Sequence, residues 1–309
     1  MILAVVGPTG IGKSEIALEL SRWIGAEIVA VDSMQVYRGM DLGTGKPDIS
    51  VRKEIPHHGL DLVEPEEEFN AVLYAQLVRP SFLAIQERGS VPLLVGGSGL
   101  YLRALLDGLC PATGKDAALR EQLLAEAQEE GGAQLLYERL KKVDPPTAAK
   151  IHPNNFRRTV RALEVFLVTG SPLSQWQKQA VSSSDPVRGQ RVQLVGLTCD
   201  RASLYRRIEK RIEGWLQAGW LEEARGLSAR PLSQTAREAL GYRELFQFLD
   251  GRTDWETTCQ LIKRNTCRYA KRQWTWFKAD SRIVWIQTDR KMPEAIAKEI
   301  GIRWNVLSS

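Results

Sequence analysis

Eight residues near the start constrain the fold more than any others: Gly7-Pro8-Thr9-Gly10-Ile11-Gly12-Lys13-Ser14. Before them, residues 2–6 form a continuous apolar run of the kind a strand buried on both faces requires. After them, residues 14–20 change to helical spacing. A strand, a glycine loop and a helix in that order let main-chain N–H groups converge on phosphate oxygens. The helix N-terminus, a mobile Lys13 and the Ser14 hydroxyl, a candidate Mg²⁺ ligand, complete the cradle. All eight residues are therefore candidates for binding a diphosphate or nucleotide. Kinases, hydrolases and transferases all use such loops, so the motif implies a phosphorylated ligand without choosing a reaction.

The strand pattern recurs at residues 28–31, 93–95, 192–197 and 283–286, with helical periods between. That alternation predicts an α/β fold with a doubly wound, mostly parallel sheet. From 111 to 186 no strand pattern occurs, and Ala, Leu, Glu, Gln and Arg recur at helical periods. The expected organisation is a first part of the core over 1–110, an all-helical insertion over 111–187, and a return to the core sheet with basic helices over 188–309. Residues 182–189, SSSDPVRG, have the composition of an exit linker. A chain of 309 residues, 43% hydrophobic and 26% charged, can build one large core and a smaller appended one. The net charge of +5 permits a nucleic-acid partner without requiring it.

No apolar run approaches a bilayer's thickness, and the opening MILAVVGP is too short for a signal peptide, so a cytoplasmic protein with no membrane partner is expected. Cys110, Cys199, Cys259 and Cys267 are scattered without a Cys-x-x-Cys pair, which argues against a zinc knuckle or a disulfide framework.

A nucleotide hydrolase of this architecture needs an apolar strand ending in Asp to hold Mg²⁺. The run at 93–95 ends in glycines instead, and only the run at 28–31 leads into an acid, Asp32, followed by Ser33-Met34-Gln35. Three roles stand open for Asp32: a magnesium ligand, a general base, or a cap for the turn that follows. Arg207 and Arg211 are four apart on a predicted helix beside the apolar stripe Ile208, Ile212 and Leu216. Either guanidinium can clamp a diphosphate opposite Lys13, or pair with Glu209 or Glu213 in solvent.

Seven segments in order, GPTGIGKS, DSMQVYRGMDLGTGKP, PHHGLDLVEP, LLVGGSGLYLRALLDGL, DPPTAAKIHPNNFRRTVRALEVFLVTGSPLS, REALGYRE and YAKRQWTWF, give the chain a close resemblance to the tRNA dimethylallyltransferases, also called tRNA isopentenyltransferases. The resemblance implies transfer of the dimethylallyl group of dimethylallyl diphosphate to the exocyclic N6 of the adenosine just 3′ of the anticodon, with release of diphosphate. It implies Mg²⁺ as cofactor, the tRNA anticodon stem-loop as partner, and a monomer. By the same analogy Asp32, Thr9 and Arg211 are catalytic. The tRNA-contacting positions are Asp32, Ser33, Met34, Gln35, Ser98, Arg120, Arg157, Arg158, Thr159, Val160, Arg161, Arg237, Gly241, Tyr242 and Arg243. Ser98 stands where many members have Thr, and Phe69-Asn70-Ala71 replaces a more usual Phe-Ser-Val. The chemistry fits the residues. Diphosphate leaves with charge that a phosphate loop can stabilise, and an adenine amine is a poor nucleophile that benefits from a carboxylate base.

Two basic stretches offer RNA surfaces. FRRTVRALEV places Arg157, Arg158 and Arg161 on one side of a helix, with Val160, Leu163 and Leu167 as the expected buried side. RNTCRYAKRQWTWF sets Arg264, Arg268, Lys271 and Arg272 among Tyr269, Trp274, Trp276 and Phe277, either for phosphate contact with base stacking or as a solvated face over a Trp-rich core. The adjacent His57 and His58 lack a third ligand for a metal site. Three rival readings remain: an adenylate isopentenyltransferase acting on free nucleotides, a P-loop small-metabolite kinase that binds ATP, and a non-catalytic RNA-binding module.

Overall fold

Strands whose side chains are nearly all apolar sit in the middle of a sheet covered on both faces. Ile2–Val6 (β1) and Ala26–Val31 (β2) are buried along their whole lengths. The computed structural model describes residues 1–109, 116–179, 187 and 190–304. The proposed linker at 182–189, apart from Val187, and the boundary at 110/111 lie outside the described residues.

After the glycine loop, α1 spans Lys13–Ile24. Beyond β2 come α2 (Ile49–Glu54), β3 (His57–His58), α3 (Ala71–Glu87), β4 (Val91–Gly96) and α4 (Gly99–Leu106). Helices α5 (Ala117–Gln128), α6 (Gly132–Val143), α7 (Pro145–Ala148), α8 (Phe156–Thr169) and α9 (Leu173–Gln179) follow without a strand among the described residues. The chain then forms β5 (Val192–Thr198), α10 (Arg201–Gln217), α11 (Trp220–Ser228), α12 (Gln234–Arg237), α13 (Tyr242–Leu249), α14 (Trp255–Lys278), β6 (Ile283–Gln287) and α15 (Pro293–Arg303).

The six strands form one sheet in the order β3-β2-β4-β1-β5-β6, and every pairing is parallel. The fold is thus α/β with a doubly wound parallel sheet. Both β2 and β4 neighbour across a crossover, and β1 lies between β4 and β5, so the C-terminal ends of β1, β2 and β4 open together on one edge. In doubly wound sheets that edge is where ligands bind. β3 is only two residues long and pairs Ile28 with His57.

The chain divides into two units, Met1–Leu105 with Pro186–Ser309, and Leu106–Asp185. The second has its own apolar core, in which Leu123, Leu136, Leu140, Val160 and Leu163 are almost fully buried. Asp144 caps α7 and also accepts from the Ser174 N–H at 2.9 Å. Among the described residues no helix is long and apolar enough to cross a membrane.

Candidate active site

The glycine loop turns sharply out of β1 so that α1 can begin at Lys13. Gly12, at the helix N-cap, has φ 97°, a conformation that side chains resist. Lys13 Nζ donates to the carbonyls of Gly7 at 3.0 Å and Pro8 at 2.9 Å, curling the lysine back over its own loop. Burial, with the Arg211 guanidinium nearby, brings its ammonium down to about 7, against a weaker upward pull from Asp32. The loop's far side is fixed from α14, where the buried Gln273 Oε1 accepts from the Thr9 N–H at 2.8 Å. Gln273 Nε2 donates to the Gly97 carbonyl at 2.9 Å. One side chain thereby ties the ends of β1 and β4 together.

Arg211 projects from α10 into the same space. Its Nη2 donates to Thr9 Oγ1 at 2.5 Å, and its guanidinium lies over the Trp215 ring at 4.5 Å. Burial lowers its pKa to about 10 against the opposing charges of Asp32 and Glu15, and its Nε is buried with no hydrogen-bond partner. A buried, unpaired donor beside a phosphate-type loop is a group awaiting an anion. Arg207, one turn earlier, is exposed and does not line the cavity that holds Asp32, but it borders, with Lys210 and Arg211, a cavity of about 700 Å³ along Gly10 to Ser14. Of the two, Arg211 alone reaches Asp32's cavity and bonds the loop at Thr9. Ile208 and Ile212 form the buried stripe as expected, and Glu213 is paired with Lys263 at 2.6 Å.

Asp32 ends β2. Its Oδ1 accepts from the N–H groups of Met34 at 2.8 Å and Gln35 at 3.3 Å, so it caps its own turn. Burial raises its pKa, while those two N–H groups and the charges of Lys13 and Arg211 hold it down. Ser33 N–H donates to the hydroxyl of the buried Ser98 at 3.1 Å, pinning the turn to the end of β4. Gln35 Nε2 donates to the carbonyls of Thr44 (3.0 Å) and Gly45 (3.2 Å).

Two cavities meet at Asp32. One, of about 120 Å³, runs from Lys13 and Ser14 past Leu18, Ile28, Ala30 and Val95, with His57 at its wall. The other, of about 410 Å³, is bordered by Ser33, Met34, Arg243, Asn265, Arg268 and Arg272. Thr9, Asp32, Thr44, Arg211 and Tyr269 line both. The first is walled by hydrocarbon beyond its charged mouth, and the second is rimmed by cations.

Several residues named from the sequence lie elsewhere or act otherwise. Tyr242 and Gly241 are buried in the first unit; the Tyr242 hydroxyl donates to Glu223 and accepts from the Gly43 N–H, and Tyr242 also borders the larger cavity. Arg243 does line the larger cavity, bonded to the buried Glu244 at 2.6 Å, and Arg237 is exposed. Within the second unit the side chains of Thr159 and Val160 are buried, Val160 in the apolar core, and Leu167 is 45% exposed rather than buried. Arg120 and Arg161 both bind the buried Glu164, at 2.7 and 2.9 Å. Arg157 and Arg158 are exposed. On α14, Arg264, Arg268, Lys271 and Arg272 are exposed, Phe277 is buried, Trp274 is half-buried and Trp276 is partly exposed, so the stripe covers core with its apolar side. Asn70 caps α3 by accepting from Val72 and Leu73 N–H groups, a role that Ser would fill equally. His58 bonds Glu27 at 2.7 Å, and no cluster of three metal-ligating side chains occurs among the described residues.

Sequence reasoning passed over Gln273, Tyr269 as a cavity wall, Glu223 and Glu164. Gln273 was detectable: Thr266, Ala270, Gln273 and Phe277 repeat at helical spacing along the buried side of α14, and a polar residue on such a line needs partners.

The sequence profile of the IPP transferase family matches residues 35–280, and that of the isopentenyl transferases matches residues 1–55. The chain is 43% identical over 302 residues to a tRNA dimethylallyltransferase of Geobacter metallireducens, covering 97% of this chain and 96% of that one. It is 45% identical over 312 residues to one of Symbiobacterium thermophilum, covering 98% and 96%. Among solved structures, a tRNA isopentenylpyrophosphate transferase of Bacillus halodurans superposes with TM-score 0.71 at 36% identity, covering 98% of this chain and 95% of that one. A eukaryotic dimethylallyltransferase acting on tRNA superposes with TM-score 0.76 at 25% identity, covering 98% and 79%.

Proposed function

This chain belongs to the IPP transferase family, whose curated members are tRNA dimethylallyltransferases, and we propose that it moves the dimethylallyl group of dimethylallyl diphosphate onto N6 of the adenosine 3′-adjacent to the anticodon, releasing diphosphate. The observation that carries this reading is the pair of cavities that share Asp32, Thr9 and Arg211. A donor with an anionic head and a five-carbon hydrocarbon tail suits the smaller cavity. A flipped base with its phosphates suits the larger one.

In this mechanism the loop amides, Lys13 and Arg211 hold the diphosphate. Lys13 gives up its bonds to the Gly7 and Pro8 carbonyls for phosphate oxygens, and the Arg211 Nε gains the partner it lacks. The Thr9 N–H is already engaged by Gln273, so the loop's phosphate donors are its other amides. Thr9 Oγ1 accepts from Arg211 and keeps its own proton to donate to a leaving oxygen. As the allylic C–O bond breaks, its electron pair goes to diphosphate, where these cations stabilise it. The amine nitrogen bonds the allylic carbon, and its proton goes to Asp32. Burial gives Asp32 basicity beyond an ordinary carboxylate, while Lys13 and Arg211 keep it ionised.

The donor set also suits Mg²⁺. Ser14 Oγ at the start of α1 is a hard oxygen ligand that would hold the ion together with phosphate oxygens, which leaves the Asp32 carboxylate to take the amine proton. When bound, Mg²⁺ adds Lewis-acid stabilisation of the departing diphosphate. RNA phosphates are assigned to Arg157 and Arg158 on the helical unit and to Arg243, Arg268 and Arg272 by the larger cavity, with Ser33 and Met34 facing the base. A monomer working in the cytoplasm completes the proposal. Incubation with dimethylallyl diphosphate labelled in the allyl group, with and without tRNA, tests it. Label is expected on adenosine N6 in the RNA, and RNA left unlabelled in the presence of Mg²⁺ would overturn the reading.

A further inference from the structure

Residues 41–45, between the Asp32 turn and α2, form a wall shared by both cavities. Gly43 and Thr44 border the larger, and Thr44 and Gly45 the smaller. Such a stretch, with two glycines in five residues, has little stiffness of its own. Three anchors hold it. From below, the buried Lys46 ammonium bonds the Tyr37 carbonyl (2.5 Å), Asp41 (2.7 Å) and Asp61 (2.6 Å). From inside, Gln35 bonds the Thr44 and Gly45 carbonyls.

The third anchor reaches in from α11 and α13. Glu223 Oε2 accepts from the N–H groups of Asp41 (3.1 Å) and Leu42 (2.9 Å), and the Tyr242 hydroxyl accepts from the next one, Gly43, at 3.2 Å while donating to Glu223 Oε1. Three consecutive amides thus end on one carboxylate–phenol pair. Beneath it lies Trp220, so close that a Cβ at Gly43 would fall 2.1 Å from its Nε1 and one at Gly241 2.2 Å from its Cη2. Trp220 itself stacks edge-on with Trp215, the ring under Arg211, and with Tyr242. The pair is therefore joined through two rings to the group that holds the donor.

We propose that Glu223 and Tyr242 are positioning residues that keep the 41–45 loop closed over the reacting allylic carbon, so that the adenine amine and not water captures it. The proposal rests on the transferase reading above. An electron-poor allylic carbon reacts with any nucleophile, and the amine wins only where water is excluded. With the loop released, the C–O bond still breaks with its electron pair going to diphosphate. Water oxygen then bonds the allylic carbon and passes its proton to solvent, giving a five-carbon allylic alcohol instead of modified RNA.

The test uses the full-length chain, tRNA and allyl-labelled dimethylallyl diphosphate, and reads the ratio of labelled alcohol to labelled RNA. Tyr242→Phe, which keeps the ring and removes the hydroxyl, is expected to raise that ratio about tenfold or more relative to the unmutated chain. Glu223→Gln, which keeps one acceptor oxygen for the amides, is expected to fall between the two, and Glu223→Ala at or above Tyr242→Phe. A merely structural role would lower melting temperature and the amount of active protein while leaving the ratio where it was. A folded Tyr242→Phe chain with the unmutated ratio overturns the proposal, and where that variant does not fold, Glu223→Gln is held to the same criterion. An unmutated chain that labels no RNA refutes the transferase reading instead.

Discussion

Binding of the donor is expected to draw a proton from solvent, and the lysine of the glycine loop sets how much. Burial and Arg211 bring Lys13 down to about 7. At pH 8 roughly nine-tenths of it is therefore neutral, and at pH 6 roughly one-tenth. A diphosphate restores the charge, because an adjacent polyanion favours the ammonium. Uptake by Lys13 should approach one proton per donor at pH 8 and fall to near zero at pH 6, with donor affinity weakening by up to about tenfold per pH unit above neutrality. Titration calorimetry in two buffers of different ionisation enthalpy measures the proton directly. Lys13→Arg is the control, since its guanidinium stays charged throughout and reports only the donor's own titration. Equal uptake by the two proteins at pH 8 would refute the argument. The same displacement affects folding. Below pH 7 Lys13 is charged in both states and the folded state bears the cost of burying it. Between about pH 7 and 10.5 the unfolded chain binds the extra proton, so this group's contribution makes the empty protein more stable as pH rises.

Asp32→Asn is expected to lower the single-turnover transfer rate by about two to four powers of ten while donor binding persists, the loss typical of a removed general base; a rate within about threefold of the unmutated chain would remove Asp32 from that role. Arg157→Ala with Arg158→Ala should weaken tRNA binding and flatten its log–log salt dependence by up to about two, leaving donor affinity alone, as filter binding across a salt series will show. Arg120→Ala should act mainly on stability, costing about 1–2 kcal/mol in chemical denaturation because the buried Glu164 loses the two N–H groups that Arg120 donates to its Oε2 and keeps the bonds from Arg161 and the Asp116 N–H.

The sheet was legible where a strand carries a run of apolar residues, as in β1, β2, β4, β5 and β6, because such short runs between helical periods carry their own signature. β3 was not, since His57 and His58 are a two-residue pairing decided by their neighbour in β2 and carry no pattern of their own. That the loop, Asp32 and Arg211 come together around one cavity was anticipated from residue type and order alone. What stayed hidden were partnerships across long separations in sequence. Nothing local marks Gln273 as the partner of Thr9, or Tyr242 as the partner of Gly43, and a basic helix looks the same whether its arginines face RNA or, like Arg120 and Arg161, a buried glutamate. Charge periodicity assigns a side of a helix. Only packing says what occupies it.

The two cations proposed to grip the donor would also set the strength of the proposed base, which would tie the halves of the reaction together. Lys13 and Arg211 both hold the Asp32 pKa down against the burial that raises it. Bound diphosphate places several negative charges against those cations, so their pull on Asp32 is partly cancelled and the carboxylate becomes a stronger base only once there is a donor to react with. An exposed carboxylate would lack this dependence, because water would screen it. The pH profile of transfer is therefore expected to rise through a carboxylate limb whose midpoint lies higher for kcat, which reports the loaded enzyme, than for kcat/KM of the donor, which reports the free one. The gap should narrow in Arg211→Lys, whose ammonium sits on a flexible stem without the fork that bonds Thr9 and faces the donor. Limbs that coincide in the unmutated chain, or a kcat limb lying below that of kcat/KM, would mean that Asp32 titrates independently of the donor and that the shared cations act on diphosphate alone.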